Sequence, residues 1–205
     1  AFLDHWVNYP ERFQLEGITA HPDEIWVGDV DAERIAQKLF SKVKVVLQPN
    51  PYFEELQQEL SGTRYCPHDT QHCSVLYVCE PIREHALLEY GNERYWGYTE
   101  EDALQFFLKN TGALGCEISE IIIRPHPSES NNKYDWARLA NSLVTETASP
   151  KTLIEQIVEA DVVVGCESMA MVVALLAKKR VVSSISPGGN LCSLPQAEIQ
   201  HLQVL

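Results

Sequence analysis

The stretch EIIIRPHPSESNNKY, residues 120–134, runs three isoleucines directly into an arginine, a histidine held between two prolines, a serine and a glutamate. Arginine offers a planar fork for phosphate or carboxylate, and histidine a donor whose charge changes near neutral pH. If the isoleucines form a buried strand, Arg124 and His126 stand at its carboxyl end, with Ser128 and Glu129 just beyond and Pro125 and Pro127 stiffening the backbone. An anion suits such a group. A strand-end turn with exposed polar side chains is the plainer alternative. A second stretch, GCESMAMVV, passes from strand-like to helix-like sequence at Gly165, Glu167 and Ser168. A helix starting there presents unpaired N–H groups and the positive end of its dipole to a phosphate. Glu167 adds a carboxylate suited to ribose or sugar hydroxyls, while Ser168 is an N-cap residue whether or not a ligand binds. Gly188 and Gly189 in SISPGGN form a third loop, able to approach a ligand closely or to make an ordinary turn.

Four possible zinc ligands, Cys66, His68, His72 and Cys73, crowd into eight residues. Structural zinc sites draw their ligands from two spaced knuckles, often on different elements, so no metal is expected. The six cysteines are too sparse in 205 residues for a disulfide scaffold, and reduced, structural thiols are the expectation. Glu80, ending LYVCE, faces either the same crevice or Arg83. Trp6, Trp26, Trp96 and Trp136 suit core anchors better than a sugar cleft.

The elements that must position these residues follow a regular alternation from Ser74 onward. SVLYVCEP, EIIIRPHP, SLVTET, DVVVGCE and RVVSSIS read as strands, and the helices TEEDALQFFLKN, KYDWARLA, SPKTLIEQIVEA and SMAMVVALLAKK lie between them. Thr99 caps the first helix, Gly112 or Gly115 ends it, and Ser149 with Pro150 opens the third. This is the grammar of a Rossmann-like α/β fold, a doubly wound parallel sheet covered on both faces. Residues 1–60 carry a shorter version: strands FLDHW, EIWVGD and VKVVLQP, and a helix with Ala32, Ile35, Ala36 and Leu39 on one stripe. The expected organisation is a partial α/β domain at 1–60, a linker at 61–73 and the larger domain at 74–205. Because Ala1 opens directly on a strand, the chain reads as a piece of a longer one.

With 45% hydrophobic residues the chain can bury a sizeable core, and its net charge of −13 argues against nucleic-acid or membrane-surface binding. No apolar run approaches the roughly 18 residues of a spanning helix, so a cytoplasmic protein with no membrane-spanning segment is expected.

The order IIIRPHPSE…KY followed by TLIEQIVEADVVVGCESMAMVVALLAKKRVVSSI resembles the donor-binding, C-terminal domain of GT-B glycosyltransferases. It is most similar in character to bacterial sialyltransferases, polysialyltransferases and capsule-polysaccharide transferases, over about residues 74–190. The resemblance implies a nucleotide-sugar donor, possibly a CMP-sugar, as substrate rather than a cofactor, and a surface or capsular polysaccharide as carbohydrate acceptor. It implies that His126 contacts the donor phosphate and that Ser168 stands where the family serine binds it; beside these two, Arg124, Ser128, Glu129, Gly165 and Glu167 are the nucleotide-sugar-binding candidates given by their places at the strand end and the helix start. The chain carries Glu167–Ser168 where the family has a doubled serine, and it lacks the family's acidic motif ending in glycine. In such enzymes the N-terminal domain often supplies the base, and Asp4 and His5 are the candidates here, ahead of Asp29. Two other readings are a sugar-nucleotide epimerase of the same architecture, with Glu129 and Glu167 as acid and base, and a non-catalytic nucleotide-binding fragment.

Overall fold

Apolar runs without polar alternation fold as strands where both faces of a sheet are covered, and the VVV and III runs of this chain do so. The structure, a computed structural model, describes residues 1–3, 6–62, 72–147 and 149–205. The base candidates Asp4 and His5, and the linker residues Cys66 and His68, lie outside the described residues. Two compact units are formed, Ala1–Glu59 with Ser193–Gln196, and Leu60–Cys192 with Ala197–Leu205.

The first unit contains β1 (Phe2–Leu3), β2 (Gln14–Leu15), β3 (Ile18–Thr19), β4 (Glu24–Val27), α1 (Val30–Leu39) and β5 (Lys44–Leu47), and α2 (Pro51–Gly62) begins in it. Strands β1, β4 and β5 form a parallel sheet in that order, and β2 and β3 pair as a short antiparallel hairpin. Asp29 caps α1: its carboxylate accepts the Ala32 amide at 2.8 Å and the Trp6 indole N–H at 2.8 Å. That double engagement makes Asp29 a structural residue rather than a free base. Ala32 and Ala36 are buried as the apolar stripe requires, but Leu39 is 47% exposed. Phe40 takes its place, because the helix ends at Leu39 and the turn sends the next ring into the core against Phe13 and His21.

The second unit is built from β6 (His72–Val78), α3 (Ile82–Tyr90), α4 (Glu100–Lys109), β7 (Glu117–Arg124), α5 (Asp135–Ala140), β8 (Val144–Glu146), α6 (Leu153–Glu159), β9 (Val162–Gly165), α7 (Met169–Leu176), β10 (Arg180–Ser183) and β11 (Gln200–His201). Its six strands are all parallel, in the order β11-β10-β9-β6-β7-β8. Five of them are the strands read from the sequence, and β11 extends the edge. Tyr77, Ile121, Ile123, Val162, Val164 and Val182 share one core with Leu104 and Phe107 of α4 and Ala137 of α5. On the opposite face, Val78 and Gly165 meet Met171 of α7. Helices therefore flank the sheet on both sides, a Rossmann-like α/β arrangement.

The helix starts are fixed by local hydrogen bonds. Thr99 and Asp102 form a reciprocal capping box at α4, as the sequence suggested. For α6 the cap is Thr152 with Glu155, not Ser149 and Pro150: a Thr-x-x-Glu pair satisfies two backbone donors at once, so the helix begins there.

At the amino edge of the sheet, Ser74 and Asp161 tie the start of β6 to that of β9. The Ser74 amide and hydroxyl both donate to Asp161 Oδ2, at 2.8 and 2.9 Å. Beside them Cys73 is bonded to Cys116, which corrects the expectation of reduced thiols at these two positions. The pairing depends on tertiary structure. Cys73 stands opposite Ile118 in the β6–β7 register, which brings Cys116, 43 residues away in sequence, within reach. With its sulfur in a disulfide, Cys73 is not a zinc thiolate. Among the described residues, no helix is long and apolar enough to cross a membrane.

Candidate functional site

From β6 the chain moves outward through β7 to β8, then returns to the other side of β6 and continues through β9, β10 and β11. The direction of winding reverses between β6 and β9, and in open parallel sheets ligands bind outside the carboxyl ends of the strands at such a point. Here those ends carry Glu80 after β6, and Glu167 and Ser168 after β9. His126 follows β7, the strand on the other flank of β6. The two motifs read from the sequence therefore flank one strand, and Glu80 stands between them.

The His126 loop is held by a polar knot. Glu129 Oε2 accepts the His126 amide at 2.8 Å, while Oε1 accepts Lys133 Nζ and the Tyr134 hydroxyl, each at 2.8 Å. The Glu129 side chain is only 1% exposed. Both of its carboxylate oxygens are thus engaged in holding the loop. At the ring, Nδ1 accepts the Ser128 amide at 3.2 Å and lies 2.7 Å from the Ser128 hydroxyl. An N–H aimed at Nδ1 requires the tautomer protonated on Nε2. His126 thus presents an Nε2–H from a partly exposed ring.

Lys133 also joins Glu84 and Glu100, so its ammonium lies 2.7–2.8 Å from three carboxylates. Burial works against that charge, but the hydrogen bonds Lys133 donates to Glu100, Glu129 and Glu84 outweigh it and raise its pKa. The carboxylates are close enough together to suggest a metal site. The resident cation is the ammonium itself.

Arg124 does not share this centre. Its Nη1 donates to the Lys151 carbonyl at 2.9 Å and to Gln156 Oε1 at 2.5 Å, bracing the segment before α6 and α6 itself. Ser168 caps α7, accepting the Ala170 amide at 3.1 Å. Gly165 is glycine for packing: a Cβ would stand 2.8 Å from Val78 Cγ2 and 3.1 Å from Met171 Sδ. The Gly188–Gly189 loop likewise approaches its own chain. A Cβ on Gly189 would lie 2.6 Å from the Tyr98 ring, and Asn190 donates its amide to the Trp96 carbonyl at 3.0 Å.

No family model and no curated protein matches this chain.

Glu80 is the residue that motif reading undervalued. Arg83, its supposed partner, turns instead to Glu101 at 3.3 Å and to Glu93 and Glu100 at 4.0 Å. Glu80 Oε2 accepts the Glu167 amide at 2.9 Å, bridging the ends of β6 and β9. Burial pushes its pKa up to about 7; the Glu167 and Cys166 amides oppose the rise, and the Glu167 and Glu129 charges add to it. The thiols of Cys79 and Cys166 are driven well above their ordinary range, first by burial, so neither is a nucleophile near neutrality. Only the order of the strands reveals that Glu80 is central.

The raised pKa has a measurable consequence. A carboxyl whose folded value lies above its ordinary 4.5 binds more protons in the folded than in the unfolded state. Its contribution to stability is therefore complete below the unfolded value and is lost as pH rises to about 7. Glu80→Gln is expected to remove about 3 kcal/mol of pH-dependent destabilisation between those limits. Urea unfolding of both proteins across that window checks it; parallel curves would place Glu80 among ordinary surface carboxylates.

Proposed function

We propose that the chain acts in a GT-B-like glycosyltransferase and that its Leu60–Cys192 unit holds the nucleotide-sugar donor, whose sugar passes to a surface or capsular polysaccharide. The observation that carries this reading is the fixed tautomer of His126, which sets an Nε2–H beside the switch-point strand on the carboxyl edge of the sheet. In the proposed complex that N–H donates to a donor phosphate oxygen, and the start of α7 adds amides and the helix dipole. Charge building on the leaving nucleotide phosphate would meet donors already in place, so little reorganisation accompanies the transfer. Ser128 and Glu129 orient the imidazole, Glu167 faces sugar hydroxyls, and Arg124 acts through the segment it braces. The acceptor and its base belong with Asp4 and His5 in this proposal.

A thermal-shift screen with CMP-, UDP-, GDP- and CDP-sugars identifies the donor class, and calorimetry with the stabilising nucleotide tests the residue. Losing one charge-assisted hydrogen bond to phosphate is worth about 1.5–3 kcal/mol. His126→Ala should therefore bind roughly tenfold to a hundredfold more weakly, with an unchanged unfolding midpoint. Full affinity in the variant would reduce the RPHP motif to a polar strand end and remove the main support for the donor site.

A further inference from the structure

Glu80 occupies the place in the sheet where a ligand is expected, yet it brings a potential negative charge to a site proposed for phosphate. Its surroundings offer it no cation. Facing it are Tyr77 of β6 and Cys79 just after it, Tyr98 before α4, Glu129 after β7, and Cys166 and Glu167 after β9. All are neutral or acidic. The nearby cations are committed elsewhere, Lys133 to Glu84, Glu100 and Glu129, and Arg83 to Glu93, Glu100 and Glu101. Among the described residues Glu80 makes no ion pair. One carboxyl oxygen, Oε2, is taken by the Glu167 amide, while Oε1 is not among the buried atoms left without a hydrogen-bond partner. Glu80 is partly exposed.

Resting on the donor-site reading above, we infer that Glu80 binds the ligand directly, as a protonated carboxyl whose Oε1 hydroxyl donates to a phosphate oxygen of the nucleotide. The proton comes from solvent and enters with the ligand. Ionised Glu80 repels the phosphate, and a bound phosphate favours the protonated form. Affinity therefore falls as pH rises past the value of about 7 at which free Glu80 ionises.

The test titrates CMP, UDP and GDP into wild type and Glu80→Gln by calorimetry, from about pH 6 to pH 8, in two buffers of different ionisation heat. Near neutrality wild type is expected to take up about half a proton per nucleotide bound, and its affinity to fall by up to about tenfold per pH unit above that. Glutamine donates a hydrogen bond without titrating, so the variant takes up no such proton and holds its affinity at alkaline pH. The nucleotide's own phosphate ionisation is common to both proteins and cancels. Binding without differential proton uptake, or with identical pH profiles, overturns the role of Glu80 and leaves that of His126 standing. Heat from none of these three nucleotides, nor from CDP, at any pH overturns both. A sugar-nucleotide carries no phosphate proton that titrates near neutrality, so with CMP-, UDP- or GDP-sugars the wild-type proton uptake is read without the variant and does not depend on Glu80→Gln folding.

Discussion

Lys133→Ala is expected to lower the unfolding free energy by about 3–5 kcal/mol, the cost of stripping a buried ion pair of one partner. The side chains of Glu100 and Glu129 are 2% and 1% exposed, and Lys133 is the cation they share. Glu129 would keep the His126 amide and the Tyr134 hydroxyl but lose its counter-charge. The pKa of Lys133 is raised above its ordinary 10.5, so its contribution is complete below that pH and fades only in strong alkali. Chemical denaturation at neutral pH therefore reads the whole effect. Pairing Lys133→Met with Glu129→Gln should recover part of the loss, because one stranded charge goes with its partner. A loss below about 1 kcal/mol for Lys133→Ala would mean that solvent screens the cluster like a surface pair.

The second large effect belongs to the Cys73–Cys116 bond, which closes a loop across 43 residues of sequence. For a loop of that length the chain-entropy account gives about 4 kcal/mol of stabilisation. Replacing both cysteines with serine, or reducing the bond before denaturation, should lower the unfolding free energy by that order, with α3, α4 and Glu80 inside the released loop. A midpoint indifferent to reductant would show that the two sulfurs are not joined in the purified protein. A reducing compartment withdraws this contribution, so the size of the shift states how far the fold depends on its redox surroundings.

The two predictions also mark where sequence reading stops. The strands were legible because runs such as VVVG and EIII suit only a sheet covered on both faces. The α4 start was legible because a threonine followed three residues later by an acid is a local signal. By contrast, β11 consists of Gln200 and His201, with no apolar pattern, and is a strand only because β10 offers an edge. Arg124 was the right type at the right strand end, but its partner Gln156 lies 32 residues on, so its bracing role is a tertiary fact. Lys133 stands four residues after Glu129, a spacing visible in the sequence. Its other partners, Glu84 and Glu100, are not. Glu80 illustrates the limit best, since what makes it central is the reversal in strand order between β6 and β9, which no stretch of residues encodes.

The uneven lengths of the strands bear on how copies of this chain can meet. The long members, β6 with seven residues and β7 with eight, fill the middle of the sheet, whereas β8 and β11 at its margins have three and two. A neighbouring chain seeking to add a strand would find only a few unpaired backbone groups on either margin. The first residues of β7 precede its pairing with β8, which begins at Ile121, and they carry Glu117 and Glu120. Two copies brought together there would set carboxylates against carboxylates. Lateral polymerisation through this sheet is thus disfavoured by its outline alone, and any self-association of the unit must proceed through side-chain surfaces rather than backbone ladders.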